Sequence, residues 1–252
     1  MAGTSIALGI DVGGSGSKGA PVDLDRGDFA AERIRIETPA VSSPLAVCEV
    51  IAEIVERFDG AHGHAPIGVT IPGVVTHGVV RSAANIDPEW IGFDAERHLH
   101  DVLEHPVVVV NDADAAGIGE MYYGAARGQE GLVILTTLGT GIGTALIHDG
   151  VLIPNSELGH LEIDGYDAET RASHGAREAE DLSWEKWGAR LQQYYSHLEA
   201  LLWPDLFVVG GGVSKKADRF LPLLSLRTPI VPARLENRAG IIGAAYLATQ
   251  SA

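Results

Sequence analysis

The chain has 252 residues, with 18 lysines and arginines against 34 aspartates and glutamates, so its formal net charge is −16. Hydrophobic residues make up 46% of the sequence, which is enough to bury one large core or two smaller ones and disfavours intrinsic disorder. This acidity disfavours general nucleic-acid binding, because a duplex repels an acidic surface that has no local basic patch. The single cysteine, Cys48, excludes an internal disulfide framework and a cysteine-rich zinc site.

The sequence also lacks targeting and membrane signals. Its first residues have no basic region, and no segment approaches the roughly 18 consecutive apolar residues of a membrane helix. We therefore expect a soluble, cytoplasmic protein with no membrane or nucleic-acid partner.

In the first half, short apolar runs alternate with turns. Strands are predicted at residues 6–10, 19–24, 34–37, 67–71 and 107–110. The first three of these strands predict an antiparallel meander. Pro44 predicts the start of a helix, because apolar residues follow it at helical spacing as far as Phe58. A second helix is predicted over residues 113–123.

The second half repeats this pattern. Strands are predicted at residues 132–138, 144–148, 151–153 and 206–209, and helices at 182–203 and 238–249. Each half begins with a strand, a glycine-rich turn and a returning strand, which predicts two α/β domains. We place these domains at residues 1–110 and 111–252, and expect the C-terminal helix to pack back on the N-terminal domain.

Two glycine-rich turns have the composition of phosphate-binding loops. The first runs from Asp11 to Lys18 (DVGGSGSK) and offers close backbone approach, hydroxyl donors and one cation. The second, Leu138–Gly143 (LGTGIG), has the corresponding place in the second half. Successive backbone N–H groups in a tight turn form an anion-binding nest. One such turn could equally be a structural hairpin, but two of them favour phosphate binding.

Two pairs of polar residues are candidates for chemistry. Asn111 and Asp112 follow the strand of four valines, and ligands of open α/β sheets bind at the carboxyl ends of strands. The alternative is that Asp112 only caps the helix that follows. Glu157 and His160 lie three residues apart and could bind sugar hydroxyls, although a histidine is more often structural.

Six motifs occur in order along nearly the whole chain. They are Asp11–Lys18, Pro72-Gly73, Asn111–Ala113 (NDA), Leu138–Gly143, Glu157–His160 (ELGH) and Gly210–Val213 (GGGV). Together they resemble the ROK sugar kinases of the actin/hexokinase/Hsp70 superfamily, and residues 16–23 and 157–164 resemble the polyphosphate glucokinases of actinobacteria. The resemblance implies an α/β fold of two actin-like (ribonuclease H-like) domains facing an interdomain cleft.

The resemblance also implies a reaction and the residues that perform it. Asp112 would be the general base that accepts the proton of the glucose 6-hydroxyl as this attacks the terminal phosphoryl of polyphosphate or ATP. The sugar-binding residues would be Asn85, Asn111, Asp112, Glu157 and His160. The donor-binding residues would be Asp11, Gly13, Gly14, Ser15, Gly16, Ser17, Lys18, Thr137, Gly139, Thr140, Gly141, Gly210, Gly211, Gly212, Lys215 and Lys216. Mg²⁺ would be bound through the donor phosphates, with Asp11 as a candidate ligand.

One departure from the family concerns metal binding. Many ROK proteins have a cysteine-rich zinc motif shortly after the ELGH segment, but residues 172–179 of this chain contain no cysteine. We therefore expect no structural zinc and expect His160 to serve the sugar alone. The family's later sugar-binding glutamate has no clear counterpart among residues 178–181. Because the first predicted strand begins within the first few residues, we expect no DNA-binding domain of the repressor branch.

The sequence allows alternative interpretations of the phosphoryl donor and of the oligomeric state. Lys215 and Lys216, half of the four lysines, follow the Gly210–Gly212 turn and either guide polyphosphate or form a solvated face. The resemblance suggests a homodimer, for which the following aromatic residues could supply an interface or could equally form core: Trp184, Trp187, Tyr194, Tyr195 and Trp203. Two alternative functions are an ATP-dependent kinase for mannose, fructose or an N-acetylhexosamine, and a non-catalytic sugar-binding regulator.

Overall fold

The structure is a computed structural model and describes residues 5–58, 60, 65–83 and 86–250. The strands are β1 Ile6–Gly13, β2 Gly16–Asp23, β3 Asp28–Phe29, β4 Ile34–Ile36, β5 Ile67–Ile71, β6 Val75–Thr76, β7 Val79–Val80, β8 Val107–Asn111, β9 Leu132–Leu138, β10 Ile142–His148, β11 Val151–Ile153, β12 Glu162–Ile163, β13 Tyr166–Asp167, β14 Leu206–Gly210 and β15 Ile230–Pro232. The α-helices are α1 Pro44–Arg57, α2 Ala95–Leu103, α3 Asp112–Tyr123, α4 Glu169–Ala172, α5 His174–Ala179, α6 Trp184–Leu202 and α7 Ala239–Gln250. Among these described residues, no helix has both the length and the apolar character needed to cross a bilayer.

The chain divides into two compact units, residues 1–119 with 238–252 and residues 120–237. The first unit contains a six-stranded sheet with the order β3-β2-β1-β5-β8, in which β4 also pairs with β2. β1 and β2 are antiparallel, whereas β5 and β8 run parallel to β1. The carboxyl ends of β1, β5 and β8 therefore lie at one edge of the sheet, which is the edge where Asn111 and the first glycine-rich turn lie.

The C-terminal helix α7 packs directly on this sheet. A Cβ atom at Gly9 of β1 or Gly68 of β5 would overlap the carbonyl oxygens of Ile241 and Ala244, so these glycines let the helix backbone lie against the strands. Helix α3 contacts α7 as closely, since a Cβ at Gly243 would overlap the carbonyl oxygen of Ala115. The first two turns of α3 therefore belong to the first unit, and the chain divides later than the predicted boundary after residue 110.

The core of the first unit forms between the sheet and helices α1 and α2. Helix α1 begins at Pro44 as predicted, and the side chain of Ser43 accepts the N–H of Ala46 as the N-cap. Trp90 is fully buried in this core and donates its indole N–H to the carbonyl oxygen of Ser42 (2.9 Å), in the segment just before α1.

The second unit is built on a five-stranded sheet with the order β11-β10-β9-β14-β15. Helix α6 covers it with Trp187, Tyr194 and Tyr195, whose side chains are completely buried. Trp184 is partly buried against the same core, whereas Trp203 is 67% exposed. Of the aromatic residues considered for a dimer interface, Trp187, Tyr194 and Tyr195 are thus core residues.

Candidate active site

The first glycine-rich turn connects β1 and β2 and places a carboxylate beside a lysine. Asp11 and Lys18 are opposite each other in the β1–β2 register, and Lys18 Nζ lies 3.6 Å from Asp11 Oδ2. From β5, the Thr70 hydroxyl donates to Asp11 Oδ1 (3.0 Å) and accepts the N–H of Val12 (3.3 Å). Asp11 is therefore held in one orientation at the carboxyl end of β1, with its carboxylate still partly exposed.

The residues of this turn differ in accessibility. Gly14 and Ser15 are exposed at the tip, whereas Ser17 is completely buried and points into the unit. The hydroxyl of Ser17 is therefore buried, away from the exposed tip of the turn. Besides Thr70, two side chains outside the motif contact the turn: Thr38 donates to the carbonyl oxygen of Gly13, and Arg35 donates to that of Ser15, both at 2.6 Å.

Asn111 and Asp112 stand at the junction of β8 and α3. The side-chain oxygen of Asn111 accepts the N–H groups of Ala113 (2.8 Å) and Asp114 (3.0 Å), and its amide nitrogen donates to the carbonyl oxygen of Gly73 (3.0 Å). Asn111 therefore caps the helix and joins it to the Pro72-Gly73 turn. Asp112 Oδ1 accepts the N–H of Ala113 (2.9 Å), and the carboxylate is only partly buried. Asp112 and Asn111 therefore both cap the helix, so the alternative of Asp112 as a helix cap holds in part.

In the second unit, the second glycine-rich turn and the Gly210–Gly212 turn lie side by side. Gly210 pairs with Thr137 in the β14–β9 register, so the ends of these strands coincide. Beyond them lies a pocket of about 300 Å³. Its lining residues are Leu138, Gly139, Thr140, His174, Gly175, Glu178, Gly212, Val213 and Lys216. The structure thus brings together several of the predicted donor-binding residues of this unit.

The two neighbouring lysines have different surroundings. Lys216 lines the pocket, whereas Lys215 Nζ lies 3.1 Å from Glu236 Oε2 at the surface. Of the two, Lys216 is therefore the one placed to meet a ligand in the pocket. His174, which no sequence motif singled out, is a further hydrogen-bonding candidate there. Burial lowers the pKa of His174, as do Arg177 and Lys216, while Glu178 opposes the shift.

Glu157 and His160 belong to a cluster of polar side chains next to β10. His160 Nε2 lies 3.8 Å from Glu157 Oε2, and the Nδ1–H of His160 donates to Asp167 Oδ2 (2.8 Å). This hydrogen bond to Asp167 raises the pKa of His160, and the charges of Glu169 and Glu157 add to the rise. Burial raises the pKa of Glu157, and Glu169 adds to this rise although His160 opposes it. The cluster thus offers hydrogen-bond donors and acceptors together.

Glu169 is the acid that the structure adds to this cluster. Its Oε2 accepts the N–H of Ile142 (3.0 Å), which belongs to the second glycine-rich turn and is the first residue of β10. The backbone N–H of Glu169 donates to Asp167 Oδ1 (3.1 Å). Two acids of residues 178–181, the segment in which the family's later sugar-binding glutamate was sought, have other surroundings. Glu178 lines the pocket, and Glu180 accepts two hydrogen bonds from Arg190 (2.7 and 2.6 Å).

His160, Asp167 and Glu169 also form a candidate metal-binding set, with one ligand atom from each lying within 4.8 Å of the others. An imidazole and two carboxylates are ligands that Zn²⁺ accepts. Hydrogen bonds already account for this arrangement, because His160 donates to Asp167 and Glu169 accepts the N–H of Ile142. The donor set alone therefore does not require a cation.

Four titratable residues of these sites were not predicted from the sequence: Arg35, Asp167, Glu169 and His174. None of them lies in a motif. Only Asp167 could have been found from its position in the sequence, because it lies seven residues from His160. The other three reach their sites through tertiary contacts. Asn85 lies outside the described residues.

Comparisons with known proteins decide the family. A model of the ROK family matches residues 7–170. The chain is 53% identical to the polyphosphate glucokinase of Mycobacterium tuberculosis (strain CDC 1551 / Oshkosh) over 239 residues, covering 94% of this chain and 89% of the other. The chain belongs to the ROK family.

Solved structures agree with this assignment. The inorganic polyphosphate/ATP-glucomannokinase of Arthrobacter sp. strain KM matches with a TM-score of 0.93 and 52% identity, covering 98% of this chain and all of that one. A ROK family glucokinase from Streptomyces griseus, in complex with glucose and AMPPNP, matches with a TM-score of 0.82 at 24% identity, covering 97% and 99% of the two chains. This second likeness concerns the fold alone. The mixed α/β architecture of this chain is that of ROK sugar kinases.

Proposed function

We propose that this chain is a glucokinase that transfers the terminal phosphoryl group of polyphosphate or ATP to the 6-hydroxyl of glucose. The observation that carries the proposal is the 53% identity, over 94% of the chain, to a protein named polyphosphate glucokinase. The name of the Arthrobacter structure supports both donors. The retained Asp112 and both glycine-rich turns favour an enzyme over a non-catalytic sugar-binding regulator.

Asp112 is the general base of this proposal. Its carboxylate is partly exposed after the end of β8 and can accept the proton of the sugar hydroxyl, and the bond from the N–H of Ala113 to Oδ1 helps to orient it. Phosphoryl transfer depends mainly on positioning and charge neutralisation, and a positioned base contributes roughly 10²–10⁴ of the rate. Asn111 positions this carboxylate by fixing the first turn of α3, and one of its amide hydrogens can bind the sugar.

Glucose would be bound by Glu157 and His160, with Glu169 as a further acid. A raised pKa keeps His160 a donor through both ring nitrogens over a wider pH range, so Asp167 prepares it to bind a hydroxyl oxygen. The Glu157 and Glu169 carboxylates accept hydrogen bonds from hydroxyl groups. Donors and acceptors in one cluster suit vicinal hydroxyls.

The phosphoryl donor would be bound by the glycine-rich turns and by Lys18 and Lys216. In the second unit, Gly139, Thr140 and Lys216 line one pocket. Backbone N–H groups of a glycine-rich turn together with a lysine suit anion binding. The fixed carboxylate of Asp11 fits a Mg²⁺ ion held mainly by donor phosphates, because Mg²⁺ is bound in such sites by one or two carboxylates. When bound, Mg²⁺ neutralises the charge that develops on the transferred phosphoryl.

The test is a matrix of donors against acceptors in the presence of Mg²⁺. Polyphosphate, ATP and GTP are combined with glucose, mannose and fructose, and sugar phosphate is measured. We expect the largest kcat/KM for glucose with polyphosphate or ATP. Turnover of fructose in preference to glucose, or no turnover of glucose with either polyphosphate or ATP, contradicts the proposal.

Mannose is a second candidate acceptor. The specific observation is the name glucomannokinase, carried by a structure that is 52% identical to this chain. Mannose differs from glucose only in the configuration at C2, so the 6-hydroxyl and the base are the same. A kcat/KM for mannose within about tenfold of that for glucose, a difference of about 1.4 kcal/mol in transition-state binding, supports a dual acceptor range.

A further inference from the structure

An arginine outside every motif covers the first glycine-rich turn. Arg35 Nη2 donates to the carbonyl oxygen of Ser15 at 2.6 Å. A Cβ atom at Gly16 would lie 2.7 Å from Arg35 Nε, 2.9 Å from Nη2 and 3.0 Å from Cζ. The guanidinium group therefore lies flat against Gly16, and the absence of a side chain there is what admits it. Arg35 is nevertheless exposed to solvent on its outer face.

The strand register places a second cation beside Arg35. Lys18 of β2 is directly opposite Arg35 of β4, and opposite residues of an antiparallel pair project on the same face. Like charges in this position destabilise a sheet unless something compensates them. Asp11 compensates Lys18 at 3.6 Å, but within the described residues no carboxylate lies within 4.0 Å of the Arg35 guanidinium. The pair thus presents net positive charge at a turn built to bind an anion.

The chemistry of Arg35 suits a phosphate chain. A guanidinium has five N–H donors in a planar fork that matches phosphate oxygens, and Ser15 uses one of them. ATP carries three phosphates and then an uncharged nucleoside, whereas polyphosphate continues as an anion at every unit. An exposed cation at the edge of the turn can therefore be reached by a long phosphate chain beyond the phosphates that both donors share.

We propose that Arg35, next to Lys18, binds the phosphate chain of polyphosphate and determines how well this donor is used relative to ATP. This proposal rests on the proposed function and adds a residue that discriminates between its two donors. The contact is made with phosphate oxygens and involves no covalent step.

The experiment compares R35A, R35K and the wild type with both donors. We expect R35A to lower the ratio of kcat/KM for polyphosphate to kcat/KM for ATP about tenfold, the size of one charge-assisted hydrogen bond partly screened by solvent. R35K, which keeps the charge but loses the fork, should recover part of the ratio. Equilibrium binding of polyphosphate, measured by calorimetry, should weaken in the same order.

Two controls separate this function from a structural one. R97A removes the same charge from the exposed face of α2 and should leave the donor ratio unchanged. An Arg35 that only orders the turn would change both donors equally and would lower the melting temperature, so an unchanged ratio in R35A overturns the proposal. If R35A does not fold, the same ratio in R35K decides. If the wild type phosphorylates glucose with ATP but not with polyphosphate, the proposed use of polyphosphate is wrong. If the wild type uses polyphosphate and R35A leaves the donor ratio unchanged, only the role proposed for Arg35 is wrong.

Discussion

Asp112 and Asn111 are neighbours, but their side chains are used differently. Asn111 is buried and uses its oxygen to accept two backbone N–H groups of α3, while Asp112 uses one oxygen on Ala113 and is only partly buried. The motif identified both residues, and the hydrogen bonds show that Asn111 contributes most of the helix cap, which agrees with the proposal that Asp112 is the base.

The variant D112N tests this division. An amide oxygen at this position can still accept the N–H of Ala113, so we expect D112N to fold and to bind glucose with a Kd close to that of the wild type. Without a proton acceptor, kcat should fall by roughly 10²–10⁴. The measurements are glucose calorimetry and steady-state turnover, with D94N at the N-cap of α2 as the control. Wild-type turnover in D112N would contradict the assignment of the base.

The two lysines after the Gly210–Gly212 turn provide a second test. Because Lys216 lines the pocket and Lys215 is paired with Glu236, K216A should raise the donor KM about tenfold, and K215A should change it less. KM is measured with ATP and with polyphosphate, and K186A on the exposed face of α6 controls for net charge. Equal effects of K215A and K216A would show that the pocket does not distinguish them.

The His160–Asp167 hydrogen bond predicts a pH dependence. Since this bond is the main cause of the raised pKa of His160, D167N should lower that pKa, as followed by the NMR shift of the imidazole protons. A raised pKa in the folded state stabilises the fold below the unfolded value of about 6.5, and this stabilisation is lost as the pH rises through the folded pKa. Wild type and D167N should therefore differ most in urea unfolding at acidic pH. An unchanged His160 pKa in D167N would rule out Asp167 as the cause.

At the scale of elements, periodicity predicted α1, α3, α6 and α7 and most strands of the two large sheets, but it did not predict helix α2 or strand β15, which also contribute to the cores. Helix α1 begins at Pro44 and β9 covers residues 132–138, as the apolar patterns predicted. The predicted elements differ from the observed ones mainly at their ends, which hydrogen bonding determines. β2 begins at Gly16, earlier than predicted, because its ladder with β1 continues through Ser17 and Lys18. The two-residue strand β3 is too short to give a periodic signal.

The close packing of α7 on α3 is an element-level feature with a direct test. A methyl group at Gly243 would overlap the carbonyl oxygen of Ala115, so G243A should lower the free energy of unfolding by about 1–3 kcal/mol. At Gly240, on the same helix, the nearest atom to a Cβ is Asp11 Oδ1 at 3.3 Å. G240A needs only a shift of a few tenths of an ångström in the Asp11 carboxylate, and Ala favours the helix, so its effect on the free energy of unfolding should stay below about 1 kcal/mol. Urea unfolding of both variants checks the contrast, and equal losses would contradict this packing.

At the scale of the whole molecule, the net charge is −16, but the proposed donor-binding sites carry positive side chains. Lys18 and Arg35 lie at the first turn and Lys216 lines the pocket, so positive charge is placed where anions would bind. The sequence predicted Lys18, Lys215 and Lys216 together, because Lys18 lies in a glycine motif and the other two follow one, but it did not distinguish Lys216 from Lys215. It could not predict Arg35, whose position depends on the β2–β4 register, or Glu169, which reaches Ile142 across 27 residues.

The most direct test of the central claim is the identity of the product. The purified protein is incubated with polyphosphate, Mg²⁺ and ¹³C-labelled glucose, and the mixture is followed by ³¹P and ¹³C NMR. We predict one new phosphomonoester coupled to C6 of glucose, formed in step with the shortening of polyphosphate and repeated when ATP replaces it. Phosphate on another carbon, or release of inorganic phosphate with unchanged glucose, would contradict a glucokinase that uses these donors.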